Sequence, residues 1–311
     1  MKDINKGKIL VVGSSNTDMV IQASHLPGPG ETILGTSFFM NPGGKGANQA
    51  VAAVRLGGEV SFICKTGNDI FGKQSKTLFE QEGINTSNLF SDTSHPSGVA
   101  LITVDKNAEN CIVVASGANA TLSRGDLMKC TAAFEEATII LMQLEIPLET
   151  VHYVAETAAA NKIKVILNPA PACELPDTLL NNISIITPNE TEAEMLSGIK
   201  VDSIESAEKA ARAIQARGVK TVIITMGSNG AFVLDEARFA HIAGYRVNAV
   251  DTTAAGDVFN GALAVALAEE KSVMEATAFA CNAAAISVTR LGAQSSAPYK
   301  KELETFFAIT T

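Results

Sequence analysis

The chain has 311 residues, which is enough to bury a core without disulfide or metal cross-links. Hydrophobic residues make up 46% of it and charged residues 18%, proportions that exclude disorder as its main character. The formal net charge is −9, with 24 basic against 33 acidic residues. Such a surface repels phosphate backbones and anionic lipid, so we expect neither nucleic acid nor a membrane as a partner.

The N-terminal region and the cysteines predict a cytoplasmic protein. The first apolar run, Ile9–Gly13, is too short for a signal peptide or a membrane span. The five cysteines are scattered, odd in number and never arranged as C-x-x-C, which argues against a disulfide framework or a zinc site. The four histidines show no metal-ligand spacing and no adjacent nucleophile motif.

Seven short apolar runs rich in β-branched residues predict strands. They are Lys8–Gly13, Val60–Lys65, Thr138–Leu141, Lys164–Leu167, Ile183–Thr187, Thr221–Met226 and Ala231–Leu234. From about residue 138 they alternate with segments of helical period, namely Leu148–Asn161, Thr191–Ser197 and Ser206–Arg217, and Ala276–Val288 predicts a buried helix. Apolar strands that alternate with helices are typical of a parallel sheet covered on both faces, so we expect an α/β fold.

Two stretches interrupt this alternation. Residues 18–41 and 97–115 have half-polar, alternating patterns with turn signals at Pro27–Gly30 and Asp105–Asn110. They predict antiparallel strands with one open face, which would form a small sheet inserted into a single domain spanning residues 1–311. A half-exposed sheet needs cover, and either a ligand or a second copy of the sheet could provide it.

The strongest candidate site is the run Asp251–Asp257, in which small residues lead directly into an apolar segment of helical period. The free N–H groups of a helix N-terminus and its dipole suit a phosphate or the charge that develops during phosphoryl transfer. Asp257, in the first turn, could take the proton of an attacking hydroxyl. The alternative is that Asp257 only complements the helix dipole and that the small residues form a packing turn.

A second Gly-rich segment, Asn41–Ala50, precedes another Ala-rich helix. It is not a P-loop, because Gly46 stands where a Ser or Thr should follow the Gly-Lys pair. Lys45 and Asn48 offer donors to a polar ligand, and the glycines allow close backbone approach. The alternative is a Gly-rich turn with a solvent-facing lysine.

Polar residues also follow the first predicted strand, in Val12–Asp18. The segment lacks the G-x-G-x-x-G spacing, which disfavours a nicotinamide-dependent dehydrogenase. Asn16 and Asp18 are two residues apart, so in extended chain they point the same way and suit the vicinal hydroxyls of a sugar. An Asx-turn that leaves the strand is the alternative.

Two further loops follow predicted strands. In Thr187–Glu192, Asn189 and Glu192 could arrange a hydrated magnesium ion near a polyphosphate, or the acidic residues could simply favour the helix dipole. Thr225–Gly230 could contact nucleotide phosphates or form a hairpin turn. Glu145 is either another ligand contact or a surface acid.

Together these motifs resemble those of the ribokinase-type (PfkB) carbohydrate kinases, over essentially the whole chain. The resemblance is carried by Gly43–Asn48, with Gly57 and Gly67 downstream, and by Asp251–Leu263. Gln143–Glu145 and Arg290–Gln294 resemble the members that phosphorylate ribose, whereas fructokinase-like members usually differ at positions 45 and 46. The resemblance implies a three-layer sandwich with a mostly parallel central sheet, a small β-sheet lid and a homodimer paired through that lid.

The resemblance also implies ATP-dependent phosphorylation of D-ribose at O5, with a role for each matching residue. Asp257 would be the base, and Ala254, Ala255 and Gly256 would form the anion hole. The sugar would be held by Asn16, Asp18, Gly44, Lys45, Gly46, Ala47, Asn48, Glu145 and Asp257. The nucleotide would be held by Asn189, Thr225, Met226, Gly227, Ser228, Asn229, Gly230, Gly256, Cys281 and Asn282. Cys281 stands where the family often has Asn or His.

Two cations are implied as well. Glu192 would lie near Mg²⁺ and hold it through water. An activating K⁺ would be bound by Asp251, Thr253, Ser287, Arg290, Gly292 and Ser296, several of them through backbone carbonyls. Two other functions stay open: another sugar or nucleoside kinase of the same family (fructokinase-like or a deoxyribokinase), and a non-catalytic regulator that binds sugar or nucleotide.

Overall fold

Strands in two sheets form the centre of the fold, in a computed structural model that describes residues 7–107, 109–236 and 238–308. In chain order they are β1 (Lys8–Val12), β2 (Asn16–Gln22), β3 (Ser37–Gly43), β4 (Glu59–Gly67), β5 (Leu89–Asp92), β6 (Gly98–Val104), β7 (Asn110–Ala115), β8 (Ala137–Met142), β9 (Lys164–Leu167), β10 (Ile185–Ile186), β11 (Thr221–Thr225), β12 (Ala231–Asp235) and β13 (Arg238–Ile242). Residues 1–6 of the N-terminal region and residue 108 of the predicted Asp105–Asn110 turn lie outside the described residues.

Helices cover the strands. In chain order they are α1 (Lys45–Arg55), α2 (Ile70–Glu82), α3 (Arg124–Leu127), α4 (Thr131–Glu136), α5 (Leu148–Ala160), α6 (Asp177–Leu180), α7 (Glu190–Ser197), α8 (Ile204–Gln215), α9 (Ala255–Ala268), α10 (Val273–Ser287) and α11 (Lys300–Ala308). None of the helices within the described ranges is long and apolar enough to cross a membrane.

The large sheet has nine strands in the order β13-β12-β11-β10-β9-β8-β1-β4-β5, and all run parallel except β12, which pairs antiparallel with both β11 and β13. All seven apolar runs predicted from the sequence contribute a strand to it. The run Ile183–Thr187 gives only the two-residue β10. Strands β5 and β13 were not predicted, because both are short, lie at the edges and mix polar with apolar residues.

Two hydrophobic cores lie on opposite faces of this sheet. Successive residues of a strand point to opposite faces, so Ile9 and Val11 of β1 enter one core with α1, α9 and α10. Leu10 and Val12 enter the other core with α5 and α8. Strands buried on both faces explain why these runs are apolar throughout, and the α/β expectation is confirmed.

The four-stranded sheet has the order β3-β2-β6-β7, so both half-polar stretches contribute strands to it. The pairs β2–β3 and β6–β7 are antiparallel, but β2 and β6 run parallel. The expectation of antiparallel strands was therefore wrong for this pair. Strands β2 and β6 follow β1 and β5, which are parallel in the large sheet, and they therefore leave it in the same direction.

Candidate active site

Polar side chains gather where parallel strands of the large sheet end. Ser14 follows β1, Gln143 follows β8, Asn168 follows β9 and Thr187 follows β10. The carboxyl ends of parallel strands lie at the same edge of a sheet, which is where ligands bind in open α/β folds. These residues, together with the N-termini of α1 and α9, form the candidate site.

Helix α9 begins in an unusual backbone conformation. Ala254, its N-cap, has φ +58° and ψ 14°, a left-handed conformation that costs a residue with a β-carbon about 1–2 kcal/mol. The Ala255 N–H donates to the Thr252 carbonyl at 3.2 Å, so of the expected anion-hole donors this one has a partner within the loop. The N–H groups of Gly256 and Asp257 lie in the first turn, where α-helical geometry provides no acceptor.

Asp257 is 6% exposed, and both of its carboxylate oxygens accept hydrogen bonds from α1. Asn48 Nδ2 donates to Oδ2 at 2.9 Å, and Gln49 Nε2 donates to Oδ1 at 3.0 Å. Burial raises the pKa of Asp257, although the Lys45 charge and the two amide donors lower it. A desolvated carboxylate held by two neutral donors can accept a proton from a nearby hydroxyl.

Gln49 connects Asp257 to the ends of two strands. The same Nε2 donates to Asn168 Oδ1 at 3.1 Å, and Gln49 Oε1 accepts a hydrogen bond from Gln143 Nε2. Gln49 and Gln143 are both fully buried. Because every polar atom of Gln49 is engaged, the side chain has one defined orientation, and that orientation fixes the carboxylate of Asp257.

A second chain of hydrogen bonds reaches the same helix from β10. Thr187 Oγ1 donates to Asn260 Oδ1 at 2.6 Å, and Asn260 Nδ2 donates to the Gly256 carbonyl at 2.8 Å. Asn168 Nδ2 donates to the Thr187 carbonyl at 3.3 Å, which joins this chain to the one through Gln49. The first turn of α9 is therefore anchored to the strand ends through side chains.

The N-terminus of α1 packs closely against the loop between β1 and β2. Gly44 has φ +89°, and a β-carbon there would lie 2.7 Å from the Asn16 nitrogen, so only glycine fits. The Ala47 N–H donates to the Ser14 carbonyl at 2.9 Å, and the Gly46 N–H lies 3.4 Å from Ser14 Oγ. This contact brings the sugar motif expected on α1 next to the end of β1.

Glu145 caps the same helix. Its Oε2 accepts hydrogen bonds from Ser14 Oγ at 2.5 Å and from the Lys45 N–H at 3.0 Å. A carboxylate at a helix N-terminus is favourable because it complements the dipole. Only Oε1 of Glu145 is then available for a ligand, so this residue has a structural role besides the expected sugar contact.

Acidic side chains surround Lys45. Burial alone would lower the pKa of Lys45, but the negative charges of Asp257, Glu145, Glu192 and Asp18 raise it, so the ammonium stays charged. Burial, together with the charges of Glu145 and Asp257, raises the pKa of Asp18 to about 6. Asn16 is 5% exposed and precedes Asp18 by two residues on β2, so both belong to the same face of the strand.

A cavity of about 1420 Å³ opens on the other side of Gly256, between the loops after β11 and β13 and the helices α9 and α10. The residues expected to hold the nucleotide that line it are Asn189, Thr225, Gly227, Ser228, Asn229, Gly230, Gly256 and Cys281. Met226 is instead buried in the core, and Asn282 is not part of the lining. Strands β11 and β12 form an antiparallel hairpin, so Thr225–Gly230 is both a turn and a cavity wall.

Asn189 and Glu192 form a reciprocal cap at the start of α7. The Glu192 N–H donates to Asn189 Oδ1 at 2.8 Å, and the Asn189 N–H donates to Glu192 Oε2 at 2.9 Å. Burial raises the pKa of Glu192, which is 8% exposed. The cap leaves Asn189 Nδ2 and Glu192 Oε1 for a ligand.

The two segments expected to bind a potassium ion contact each other. Asp251 Oδ1 accepts from the Thr253 N–H at 2.9 Å, and Oδ2 accepts from the Gly292 N–H at 2.8 Å. These hydrogen bonds outweigh burial and lower the pKa of Asp251. The side chains of three other expected ligands contact nearby residues. The Ser287 hydroxyl donates to the Ala284 carbonyl, and the Ser296 hydroxyl donates to the Ala293 carbonyl. Arg290 forms an ion pair with Glu302. Arg290 has no side-chain acceptor, so it could offer only its backbone carbonyl to a cation.

Several residues of this site were not singled out from the sequence. Gln49, Asn168, Asn260 and Asn119 are buried amides, and each has a hydrogen-bond partner 73 or more residues away in the chain. The only sequence signal for Gln49 was its place beside Asn48 in the Gly-rich motif. The Asn189–Glu192 cap has a signal, since Asn followed three residues later by Glu is typical of a helix start.

Residues 6–300 match the pfkB family carbohydrate kinase model. The chain belongs to this family. A ribokinase of Haemophilus influenzae is 49% identical over 294 residues, which are 94% of this chain and 96% of that protein. A deoxyribokinase of Salmonella typhi is 38% identical over 302 residues, covering 97% of this chain and 99% of that protein.

A solved structure of a family member gives the same architecture. Arabidopsis thaliana ribokinase, in complex with ribose and ATP, superimposes with a TM-score of 0.89 at 32% identity, covering 96% of this chain and 98% of that chain. The ribokinase-like α/β fold expected from the motifs, with its mostly parallel large sheet and smaller second sheet, is therefore confirmed.

Proposed function

We propose that this chain transfers the γ-phosphoryl group of ATP to O5 of D-ribose and releases D-ribose 5-phosphate and ADP. The observation that carries the proposal is the position of Asp257. Its carboxylate is held by Asn48 of the Gly-rich sugar motif, and its neighbour Gly256 lines the nucleotide-sized cavity. The carboxylate therefore lies between the Gly-rich motif expected to hold the sugar and the cavity expected to hold the nucleotide. The ribokinase relatives support the same substrates.

The reaction follows from this arrangement. Asp257 accepts the proton of the ribose O5 hydroxyl as O5 bonds to the γ-phosphorus, and the bond from that phosphorus to the bridging oxygen breaks to release ADP. The free N–H groups at the start of α9 and the dipole of that helix stabilise the negative charge of the transferred group. Burial of Asp257 excludes water and strengthens it as a base.

The donor atoms that remain fit the two cations expected from the sequence. The Glu192 carboxylate would hold Mg²⁺ through water, and that ion would neutralise the phosphate oxygens of ATP. The ionised carboxylate of Asp251 and the carbonyls of the Gly292 turn would hold K⁺, which would fix the loop before α9. Turn carbonyls and a single carboxylate suit a large monovalent ion.

We also propose that the four-stranded sheet is a lid that closes over the sugar and covers a second copy of itself in a homodimer. Asn16 and Asp18 lie in the first half of β2, so one end of this sheet carries two of the residues expected to hold the sugar. Its other surface exposes apolar side chains at Phe38 and Val113. Light scattering of Val113→Asp should then show a monomer where the unmodified protein is a dimer.

The cytoplasmic location stays a prediction from the sequence.

The substrate is tested by ADP release with ribose, 2-deoxyribose, fructose and adenosine under one set of conditions, in potassium and in sodium buffer. We expect kcat/KM for ribose to exceed that of each other acceptor at least tenfold, and to be higher in potassium. Equal rates in both buffers would remove the K⁺ proposal. No ADP release with any acceptor would favour a regulator that binds without catalysis.

A deoxyribokinase is the second candidate, because the Salmonella typhi relative is nearly as long and 38% identical. The same acceptor series separates the two functions. A kcat/KM for 2-deoxyribose equal to or above that for ribose would replace the first proposal with the second.

A further inference from the structure

Two buried amide side chains meet where the four-stranded sheet joins the large one. Asn16 begins β2, and Asn119 lies in the short 3₁₀ turn Gly117–Thr121 that follows β7. They are 5% and 1% exposed, and Asn119 Nδ2 donates to Asn16 Oδ1 at 2.8 Å. The two residues are 103 positions apart in the chain.

The orientation of the Asn119 amide is fixed by the backbone beside it. The Ser15 N–H, which can only donate, lies 2.9 Å from Asn119 Oδ1, so the carbonyl side of the amide faces Ser15 N. The NH₂ group therefore points the other way, where it donates to the Ser15 carbonyl at 3.1 Å and to Asn16 Oδ1. Both hydrogens and the oxygen of Asn119 are then engaged.

This arrangement determines what Asn16 offers to a ligand. Its oxygen is taken by Asn119, and among the described residues Asn16 Nδ2 has no hydrogen-bond acceptor. Nor is Nδ2 one of the described buried atoms that lack a partner, so this amide nitrogen is accessible to solvent. Asp18, two residues along the same face of β2, is an acceptor when ionised. The strand thus presents a donor beside an acceptor.

The surrounding packing leaves no other position for the pair. A β-carbon at Gly98, the first residue of β6, would overlap Asn16 Oδ1 and Asn119 Nδ2. The turn that carries Asn119 is itself anchored, because the Ala118 N–H donates to the Pro96 carbonyl at 2.8 Å. Rotation of the Asn119 amide would break its hydrogen bonds to the Ser15 N–H, the Ser15 carbonyl and Asn16 Oδ1 at once.

We propose that Asn119 is a positioning residue that determines sugar specificity by holding Asn16 with its N–H groups toward the ligand. The sugar hydroxyl at Asn16 must then act as a hydrogen-bond acceptor, while the hydroxyl at Asp18 must donate. This inference rests on the proposed sugar kinase function, since it assumes that the ligand beside Asn16 and Asp18 is a sugar.

The variant Asn119→Asp tests the proposal with almost no change in shape. One carboxylate oxygen still accepts from the Ser15 N–H, but the other replaces the NH₂ group, so Asn16 must turn its own NH₂ toward it and present its oxygen to the sugar. We expect the KM for ribose at pH 8 to rise at least tenfold, with kcat and the KM for ATP changed less than threefold. Asn182→Asp, a half-buried residue outside the site whose Nδ2 donates to the Thr178 carbonyl, makes the same change of charge and is the matched control.

Sugar analogues test the same proposal in the unmodified protein, where folding is not in question. Ribose with one hydroxyl replaced by fluorine can accept a weak hydrogen bond at that carbon but cannot donate, whereas replacement by hydrogen removes both abilities. We expect one ring position at which the fluoro analogue competes with ribose at least threefold better than the deoxy analogue. In Asn119→Asp that preference should disappear.

The outcomes separate this inference from the proposed function. Ribose turnover by the unmodified protein, combined with an unchanged ribose KM in Asn119→Asp or with no fluoro-tolerant position, would overturn the positioning role alone. A loss of kcat, ATP affinity and thermal stability together, without a selective rise in ribose KM, would also overturn it. Absence of ribose turnover and ribose binding in the unmodified protein would overturn both.

Discussion

The two ends of the active site are built differently. At the sugar end, charged and amide side chains crowd together: Lys45, Asp18, Asp257 and Asn48 are all buried or half-buried. The nucleotide end is a cavity of about 1420 Å³ whose lining includes several glycines and alanines beside larger polar and apolar residues.

This difference separates two ways of recognising a ligand. The sugar end fixes donors and acceptors through individual side chains, so one substitution there removes a specific interaction. At the nucleotide end, the glycines and alanines of the lining offer backbone groups that no substitution deletes. We therefore expect substitutions to have large effects at the sugar end and small ones at the nucleotide end.

The largest effect is expected from Asp257→Asn, which removes the base that links the two ends. Loss of a positioned general base lowers kcat by about 10²–10⁴-fold. The dissociation constant for ribose should change less than threefold, because Asp18, Asn16 and Lys45 remain. Stopped assays of ADP release and calorimetric titration with ribose measure the two quantities. The control is Asp202→Asn at the surface. Turnover by Asp257→Asn above a tenth of the unmodified rate would contradict the role of Asp257.

The next effect is expected from Gln49→Met, which keeps the volume of the side chain but removes its amide. Asp257 Oδ1, Asn168 Oδ1 and Gln143 Nε2 then lose a partner, and each unpaired buried group costs about 1–3 kcal/mol. We expect kcat to fall about 10–100-fold. Loss of a donor that lowers the pKa of Asp257 should also shift the acid limb of the pH profile of kcat/KM to higher pH.

The control for this variant is Gln74→Met on the exposed face of α2. A drop in kcat with no shift of the acid limb would mean that Gln49 acts on packing and not on the carboxylate of Asp257.

An intermediate effect is expected from Asp18→Asn. This substitution should raise the free energy of unfolding but weaken the binding of ribose. Burial raises the pKa of Asp18 from its ordinary value of 3.8 to about 6, so its ionisation lowers the free energy of unfolding as the pH rises from about 3.8, and the full cost is reached above about 6. At pH 8 the variant should therefore gain at most about 3 kcal/mol in the free energy of unfolding. The gain should vanish at pH 4, where the carboxyl is protonated in the folded state.

Thermal unfolding of both proteins at the two pH values measures this difference. The KM for ribose should rise at least tenfold in the variant, since a charged acceptor is lost. In the unmodified protein the ribose KM should rise as the pH falls below about 6. A variant less stable than the unmodified protein at pH 8 would show that the acidic residues around Lys45 do not oppose folding.

The smallest effect is expected from Cys281→Ser at the nucleotide end. Burial raises the pKa of Cys281 to about 12, so the thiol is neutral and contributes only packing to the cavity wall. The KM for ATP should change less than threefold, with kcat unaltered, in steady-state kinetics. A tenfold rise in the KM for ATP would contradict the expectation that substitutions at the nucleotide end have small effects.

The same difference explains what could be predicted from the sequence. The apolar runs of the large sheet were recognisable because strands buried on both faces leave a continuous local pattern. The helix starts at Lys45 and Ala255 were marked by runs of small residues just before them. These signals are local, so the positions of the two Gly-rich or small-residue motifs followed from the sequence.

Contacts across the chain left no such signal. The parallel pairing of β2 with β6 depends on the directions in which β1 and β5 leave the large sheet. The bond between Asn119 and Asn16 joins residues 103 positions apart, and nothing near Asn119 in the sequence distinguishes it from a surface residue. Glu145 was recognised as a candidate ligand, but its role in capping α1 depends on how the loop after β8 meets that helix.

The central claim is that Asp257 activates O5 of ribose toward ATP, and identifying the phosphorylated oxygen of the product tests it most directly. A ¹H–³¹P correlation spectrum of the product formed from ribose and ATP should show the phosphorus coupled to the two protons on C5. Coupling to a proton on C1, C2 or C3, or inorganic phosphate as the only phosphorylated product besides ADP, would contradict the account.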